Sequence, residues 1–484
     1  MNSTAAFEQT TAKSTNEAVK ERSAAATTQV DSKTSDAGSA EKLSRTELEK
    51  KIQALVQPYI EGKVLKSVAI GVIDGDSEFI LGLGEKSESD PVAPDGDTIF
   101  EIGSISKVFT GVLLADAIGQ GIVTIDQNAD ELLPDGVAMP VWPPKPERKI
   151  TLRHLSTHLS ALPGMPDNLT ITNEQNPYAD YTSEQLFEFL NNHTLRRRPG
   201  GRDEYSNLAV GLLGQILSRK QDQTYENILL NRIVKPLGLN DTVITLSPDQ
   251  KKRLAQPHDE MDETSTWELP ALEGAGAIRS SIKDMLIFAK ATLDPPDNEV
   301  GKAIELGWST HREFNRFGKM EMGLGWMINP SGTHWHNGGT GGSHSIMFVS
   351  RKSNRALVVF SNTGSFEVDR LGSEIMAMLA GKDVKPRKFE KRFEVSESVC
   401  EKYIGKYQLT DTVFFDVKHP GKSKTALAVK ISKQTFNRIV PESDTMWAYR
   451  DIPAKIEFEV DKSGQCKSLT LIQNGLRQKA KKIK

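Results

Sequence analysis

Cysteine is almost missing from this 484-residue chain: Cys400 and Cys466 are the two that occur, both towards the C-terminal end. So thin a supply excludes a disulfide-rich scaffold and a thiolate metal cluster. The two thiols are compatible with one disulfide or with a pair of quiet core residues, because spacing does not set connectivity. Apolar runs of about 18 residues are missing as well, which excludes a membrane-spanning helix. The first residues also lack the apolar stretch of a secretory signal. A surplus of charge is the third absence. The 61 basic and 64 acidic residues leave a net charge of −3, so neither nucleic acid nor an anionic membrane is implied as a partner.

Apolar residues are sparse overall, at 37%, and the shortage is local. Residues 1–45 are rich in Ser, Thr, Ala, Glu and Lys and hold almost no large apolar side chain. Such a segment cannot bury enough surface to offset its conformational entropy, which predicts disorder. A chain of this length suggests two or three domains. Order is expected from Thr46, where Leu48, Ile52, Leu55 and Tyr59 recur at helical spacing. SVAIGVIDGDSEFILGLG (67–84) predicts two strands around Asp74-Gly75-Asp76. KVFTGVLLADAIGQG predicts a helix that stops at Gly119 or Gly121. Loops then alternate with helices until HSIMFVSRKSNRALVVFSN (344–362), a second hairpin around Lys352-Ser353-Asn354, and a helix near 366–380. Strands that bracket a helical middle imply α/β or α+β layers closed by an antiparallel sheet. From about residue 395, alternating stretches such as KIEFEV and SLTLIQ predict a small all-β domain, 395–484, beyond the basic linker KDVKPRKFEKR (382–392). The larger domain is expected over 46–385.

Acyl transfer needs a nucleophile, a base for its proton, and donors for the developing oxyanion. Ser104-Ile105-Ser106-Lys107, opening the predicted helix, puts a hydroxyl and an amine on one face, and Gly103 permits a tight entry. Burial of Lys107 would lower its pKa and let it act as a base. The same Ser-x-x-Lys spacing occurs twice more. Ser39…Lys42 lies in the segment predicted to be disordered. At Ser280…Lys283, Ser280 or Ser281 is more simply a helix cap.

Context separates the first copy from the others. FEIGSISKVFTG (100–111) resembles the active-site signature of class C β-lactamases and related penicillin-binding serine hydrolases. EYSNLAVGLLG (204–214) resembles the family's Tyr-x-Asn element, and WHNGGTGG (335–342) its third element, usually Lys-Thr-Gly but His-x-Gly in some carboxypeptidases and esterases. ITLRHLSTHLSALPG (150–164) and VKPLGLNDTVI (234–244) look like family structural segments, and the likeness covers roughly residues 50–385. Tyr225-Glu226-Asn227, His419-Pro420-Gly421 and Lys462-Ser463-Gly464 spell the same elements, but in a helix and in turns of the C-terminal domain.

The resemblance implies a β-lactamase/transpeptidase-like antiparallel sheet flanked by helices. EKYIGKYQL (401–409) and LTLIQNG (469–475) extend it to a lipocalin-like C-terminal module. It implies a serine hydrolase forming an acyl-enzyme on β-lactams or D-Ala-D-Ala-like peptides, with an esterase or a non-turning-over penicillin receptor as alternatives. No cofactor and no metal are implied; the partner is a small-molecule or peptide substrate. Ser104 would be the nucleophile, with Lys107 and Tyr205 sharing the work of the base. Asn207 would bond Lys107 and the substrate amide. The oxyanion hole would be the N–H groups of Ser104 and Gly339, with Gly338 giving room. His336, standing where lysine is usual, would meet a substrate carboxylate, better as pH falls towards its reference pKa of about 6.5. His154 and His158, at helical spacing, are expected to be structural, since no third ligand accompanies them. The family implies a periplasmic or secreted location, in tension with the missing signal.

Overall fold

The computed structural model describes residues 44–484 apart from 261, 313–320, 390–392, 421–422, 433, 435 and 450–451. Residues 1–43, nearly all of the segment expected to be disordered, therefore lie outside the described residues. Its last two residues belong to structure. Ser44 caps helix α1 (Arg45–Glu61) in a reciprocal box with Glu47, and Leu48, Ile52, Leu55 and Tyr59 form its buried face. The chain divides into two compact units, one reaching to Lys388 and the other starting at Phe389.

In the first unit, α1 is followed by the hairpin β1 (Ser67–Asp74) and β2 (Ser77–Gly84), turned at Gly75 with φ 63°. Short strand β3 (Ile99–Glu101) leads into helix α2 (Ser106–Gly119), and α3 (Asn207–Gln221) comes after a long loop-and-helix region. Strand β4 (Arg279–Ser281) pairs with β3 and runs into α4 (Ile282–Leu293). Then come β5 (Glu321–Met322), β6 (Met327–Ile328), β7 (His334–Gly339), β8 (His344–Ser350), β9 (Arg355–Ser361) and helix α5 (Glu367–Leu379). The main sheet is antiparallel, in the order β2-β1-β9-β8-β7-β6-β5 among the described residues.

Both faces of this sheet are covered, which is why every residue of β1 and of β8 is buried. On one face a Cβ at Gly71 of β1 would come 2.8 Å from Leu286 of α4. On the other, a Cβ at Gly372 of α5 would come 2.7 Å from Ile346 of β8. Helix α2 is buried from Ser106 through Ala117 and forms the middle of the core. A helix apolar on every side belongs there, which makes Lys107 in its first turn conspicuous.

The second unit opens with α6 (Glu397–Tyr403). A closed antiparallel barrel follows: β10 (Gly405–Gln408), β11 (Phe414–Lys418), β12 (Leu427–Ile431), β13 (Asn437–Pro441), β14 (Met446–Tyr449), β15 (Ala454–Val460), β16 (Cys466–Gln473) and β17 (Leu476–Lys482). Alternation drives it: Ile456 and Phe458 of KIEFEV point inward while Lys455 and Glu459 are exposed. Tyr403, Tyr407, Phe415, Trp447 and Phe458 fill the interior. Cys400 and Cys466 are both buried and free, the core-thiol alternative rather than the disulfide.

Candidate active site

Ser104 stands on a single 3-10 turn, Gly103–Ile105, wedged between β3 and α2. Three bonds fix that turn. Ile102 N–H donates to the Ile278 carbonyl at 3.1 Å, Ile278 N–H to Ser106 Oγ at 3.1 Å, and the Ser345 hydroxyl to the Ile102 carbonyl at 2.8 Å. Gly103 has φ 49°, and a Cβ there would sit 2.7 Å from the Gly339 nitrogen. A Cβ on Gly338 would meet the Ile102 carbonyl oxygen at 2.0 Å and the Ser104 nitrogen at 2.7 Å. Glycine is required on both sides because the end of β7 lies backbone against backbone on the Ser104 turn. Gly103→Ala should therefore cost about 1–2 kcal/mol for the left-handed backbone alone and about a hundredfold in kcat by displacing the turn. Denaturant unfolding and steady-state kinetics measure the two; wild-type kcat in this variant would refute the close packing.

Lys107 follows one helical turn later, with 1% of its surface exposed. Its Nζ donates to Ser104 Oγ at 2.9 Å, to Asn207 Oδ1 at 2.8 Å and to the Ala275 carbonyl at 2.6 Å. All three acceptors are uncharged. Burial, with no carboxylate to offset it, holds the Lys107 pKa well below the ordinary lysine range. Asn207 reaches the lysine because it opens α3, where Ser206 caps the helix by accepting from Ala209 N–H.

Tyr205 lies two residues before Asn207, its ring centroid 4.9 Å from Lys107 Nζ. As a residue it is 39% exposed, yet protein crowds its hydroxyl. Burial pushes the phenol well above the ordinary tyrosine value, against a hydrogen bond with Ser104 that acts the other way. A phenol so shifted stays protonated at neutral pH, so the expected sharing of the base's work moves towards Lys107.

His336 departs furthest from expectation. It is fully buried, its Nδ1 donating to the Asn337 carbonyl at 2.6 Å, with its ring centroid 6.3 Å from that of Tyr205. Burial, seconded by the charge of Lys107, brings its pKa down to about 3. The ring is therefore neutral throughout the physiological range and offers a substrate carboxylate no surface, so the expected titration near pH 6.5 is lost. Affinity for carboxylate-bearing substrates should show no inflection owed to His336 between about pH 5.5 and 8. An inflection that disappears in His336→Gln would reverse this.

Ser104, Lys107, Tyr205 and Asn207 thus converge, with Gly338 buried and Gly339 exposed where β7 ends beside them. The look-alike elements stand elsewhere. Ser280 is buried in β4 and shares a hydrogen bond with Thr242, while Ser281 caps α4. Tyr225 opens the short helix Tyr225–Leu229 rather than lying within it, and its hydroxyl bonds Thr110 at 2.7 Å. His419 bonds Ala426 and Glu401 in the second unit. His154 sits in helix Leu152–Ser156, but His158 lies beyond its end, so the two do not share a helical face. Among the described residues no cluster of three metal-ligating side chains occurs. Missed from sequence is the Ala275 carbonyl on Lys107, a backbone group that no motif announces.

A Ser-x-x-Lys turn set between buried helices and a two-faced antiparallel sheet, beside a Tyr-x-Asn and a glycine-ended strand, defines the penicillin-recognising class of serine hydrolases. The beta-lactamase family model matches residues 52–379, more than half of the chain. The chain belongs to the beta-lactamase family. It is 31% identical over 226 residues to the D-alanyl-D-alanine-carboxypeptidase/endopeptidase AmpH of Escherichia coli, covering 46% of this chain and 57% of that relative. It is 23% identical over 466 residues to penicillin-binding protein 4* of Bacillus subtilis, covering 90% and 99% of the two chains. A Yersinia pestis beta-lactamase/D-alanine carboxypeptidase structure superposes with a TM-score of 0.61 at 22% identity, over 70% of this chain and all of that one. That likeness is one of fold.

Proposed function

We propose that the protein hydrolyses β-lactams or D-Ala-D-Ala-like peptides through an acyl-enzyme on Ser104. The observation that carries the reading is the bond from Lys107 to Ser104, 2.9 Å long and made by an amine whose pKa burial has lowered. In its neutral form Lys107 takes the hydroxyl proton as Ser104 Oγ bonds the carbonyl carbon. The N–H groups of Ser104 and Gly339 receive the oxyanion, each donor worth about 3 kcal/mol of barrier. Tyr205, protonated and bonded to Ser104, passes a proton to the leaving group and is resupplied by Lys107. Water then releases the acid by the reverse route. Asn207 orients Lys107 and the substrate amide.

A second reading, an esterase of the same fold, is favoured by one observation. His336 is neutral and buried where lysine would offer a permanent cation, so acyl donors without a carboxylate lose least. Cell-wall peptides would place the protein outside the cytoplasm; uncharged esters carry no such requirement. A chromogenic cephalosporin, a D-Ala-D-Ala peptide and a p-nitrophenyl ester, assayed side by side, separate the readings. Turnover of the first two supports the proposal, and turnover of the ester alone supports the second. A penicillin adduct by intact mass, with none of the three turned over, would identify a receptor.

A further inference from the structure

His158 is a buried titratable side chain beside the cleft that plays no part in the steps above. It is 3% exposed and its backbone is left-handed, φ 59°, a conformation few residues other than glycine adopt unless the fold holds them there. What it touches is the segment carrying Tyr205. Glu204 N–H donates to the His158 carbonyl at 3.0 Å, and Ser206 N–H donates to His158 Nδ1 at 3.2 Å. Between these two bonds the His158 ring lies 4.4 Å, centroid to centroid, from the ring of Tyr205. The same loop adds two bonds further on: the Ser206 hydroxyl to the Pro163 carbonyl at 2.6 Å, and Asn207 N–H to the Gly164 carbonyl at 2.9 Å.

That segment needs an outside hold. Residues 202–205 are exposed and belong to no helix or strand, and α3 begins at Asn207. We propose that His158 is a positioning residue for Tyr205, bonding the residues on either side of it and bracing its ring so that the phenol stays on Ser104. The proposal rests on the role given to Tyr205 above. Because Nδ1 accepts a hydrogen bond from Ser206 N–H, the neutral ring carries its proton on Nε2. Burial keeps the ring neutral, and positive charge on Lys107 or Arg312 acts in the same direction. An imidazolium could not accept the Ser206 bond, so neutrality and the clamp go together.

The test is a double-mutant cycle with p-nitrophenyl acetate. His158→Phe keeps a ring but leaves Ser206 N–H unpaired. His158→Asn supplies an acceptor and tolerates the left-handed backbone. His158→Phe should lower kcat about a hundredfold with KM changed less than about threefold, and His158→Asn should recover part of the loss. Made in a Tyr205→Phe background, the same substitutions should cost less than about threefold further, because a residue acting through Tyr205 has nothing left to position. Equal losses in both backgrounds would mean general structural damage and would overturn the proposal. A second readout needs no turnover. The Tyr205 phenol, isolated as the ultraviolet titration difference between wild type and Tyr205→Phe, should titrate lower in His158→Phe as the released ring regains solvent. Should Ser104→Ala retain activity, the reaction scheme fails, and this titration still decides the clamp: an unmoved phenol refutes it.

Discussion

Ser104→Ala is expected to abolish covalent capture of penicillin and to lower ester turnover by about 10⁴-fold or more, while the protein stays folded. Removing the nucleophile of an acyl-enzyme route leaves only binding and the oxyanion donors, a residual of about 10³–10⁴ over water in the best-studied case. The stability cost is small for a stated reason. Ser104 Oγ is one of three acceptors on Lys107 Nζ, and Asn207 Oδ1 and the Ala275 carbonyl remain. One lost hydrogen bond is worth about 1–2 kcal/mol, or a fall in Tm of no more than about 4 °C in a domain of this size. Intact-mass labelling, ester kinetics and thermal unfolding measure the three quantities. Turnover surviving in Ser104→Ala would locate the reaction elsewhere. Ser280 is a poor substitute, being buried in β4 and bonded to Thr242.

How much of this was legible in the sequence depends on how local each feature is. Ser104 and Lys107 were legible because one helical turn joins them, and the sequence interval is itself the geometry. The hairpins at 67–84 and 344–362 were legible for the same reason, each closing on its own turn. Asn207 was found by motif, since its contact with Lys107 spans 100 residues. The barrel's alternation could be read strand by strand, whereas its closure through Tyr407 and Lys482 is tertiary. His336 shows the other limit. Its position was identified, but its protonation follows from burial against Tyr205 and Lys107, which a residue name does not carry. His158 stands at helical spacing from His154 in the sequence but outside its helix in the fold. The helix stops at Ser156, and His158 beyond it has a left-handed backbone and bonds residues 204 and 206.

Lys107→Met carries the second large effect and the clearest linkage between catalysis and stability. Losing the base should lower the acylation rate by about 10²–10⁴, read as the rate of adduct formation with penicillin. Its effect on stability has an offset and a slope. The offset combines relief from burying an ammonium without a carboxylate with the cost of leaving Asn207 Oδ1 and the Ala275 carbonyl unpaired, about 1–3 kcal/mol each where water does not replace the donor. The slope is fixed by protonation. Unfolded, the lysine titrates near 10.4; folded, burial lowers that value, so between the two the unfolded chain binds more protons and wild-type stability rises with pH. Wild type therefore carries the full destabilisation below its folded pKa and sheds it as pH climbs towards the unfolded one. Methionine has no such term. The stability of Lys107→Met relative to wild type should accordingly decline as pH rises from about 7 to 10, measured by denaturant unfolding at each pH. A difference flat across that range would show that the folded and unfolded lysines titrate alike. The amine at Ser104 would then be a charged anchor at neutral pH, with no lone pair for the serine proton.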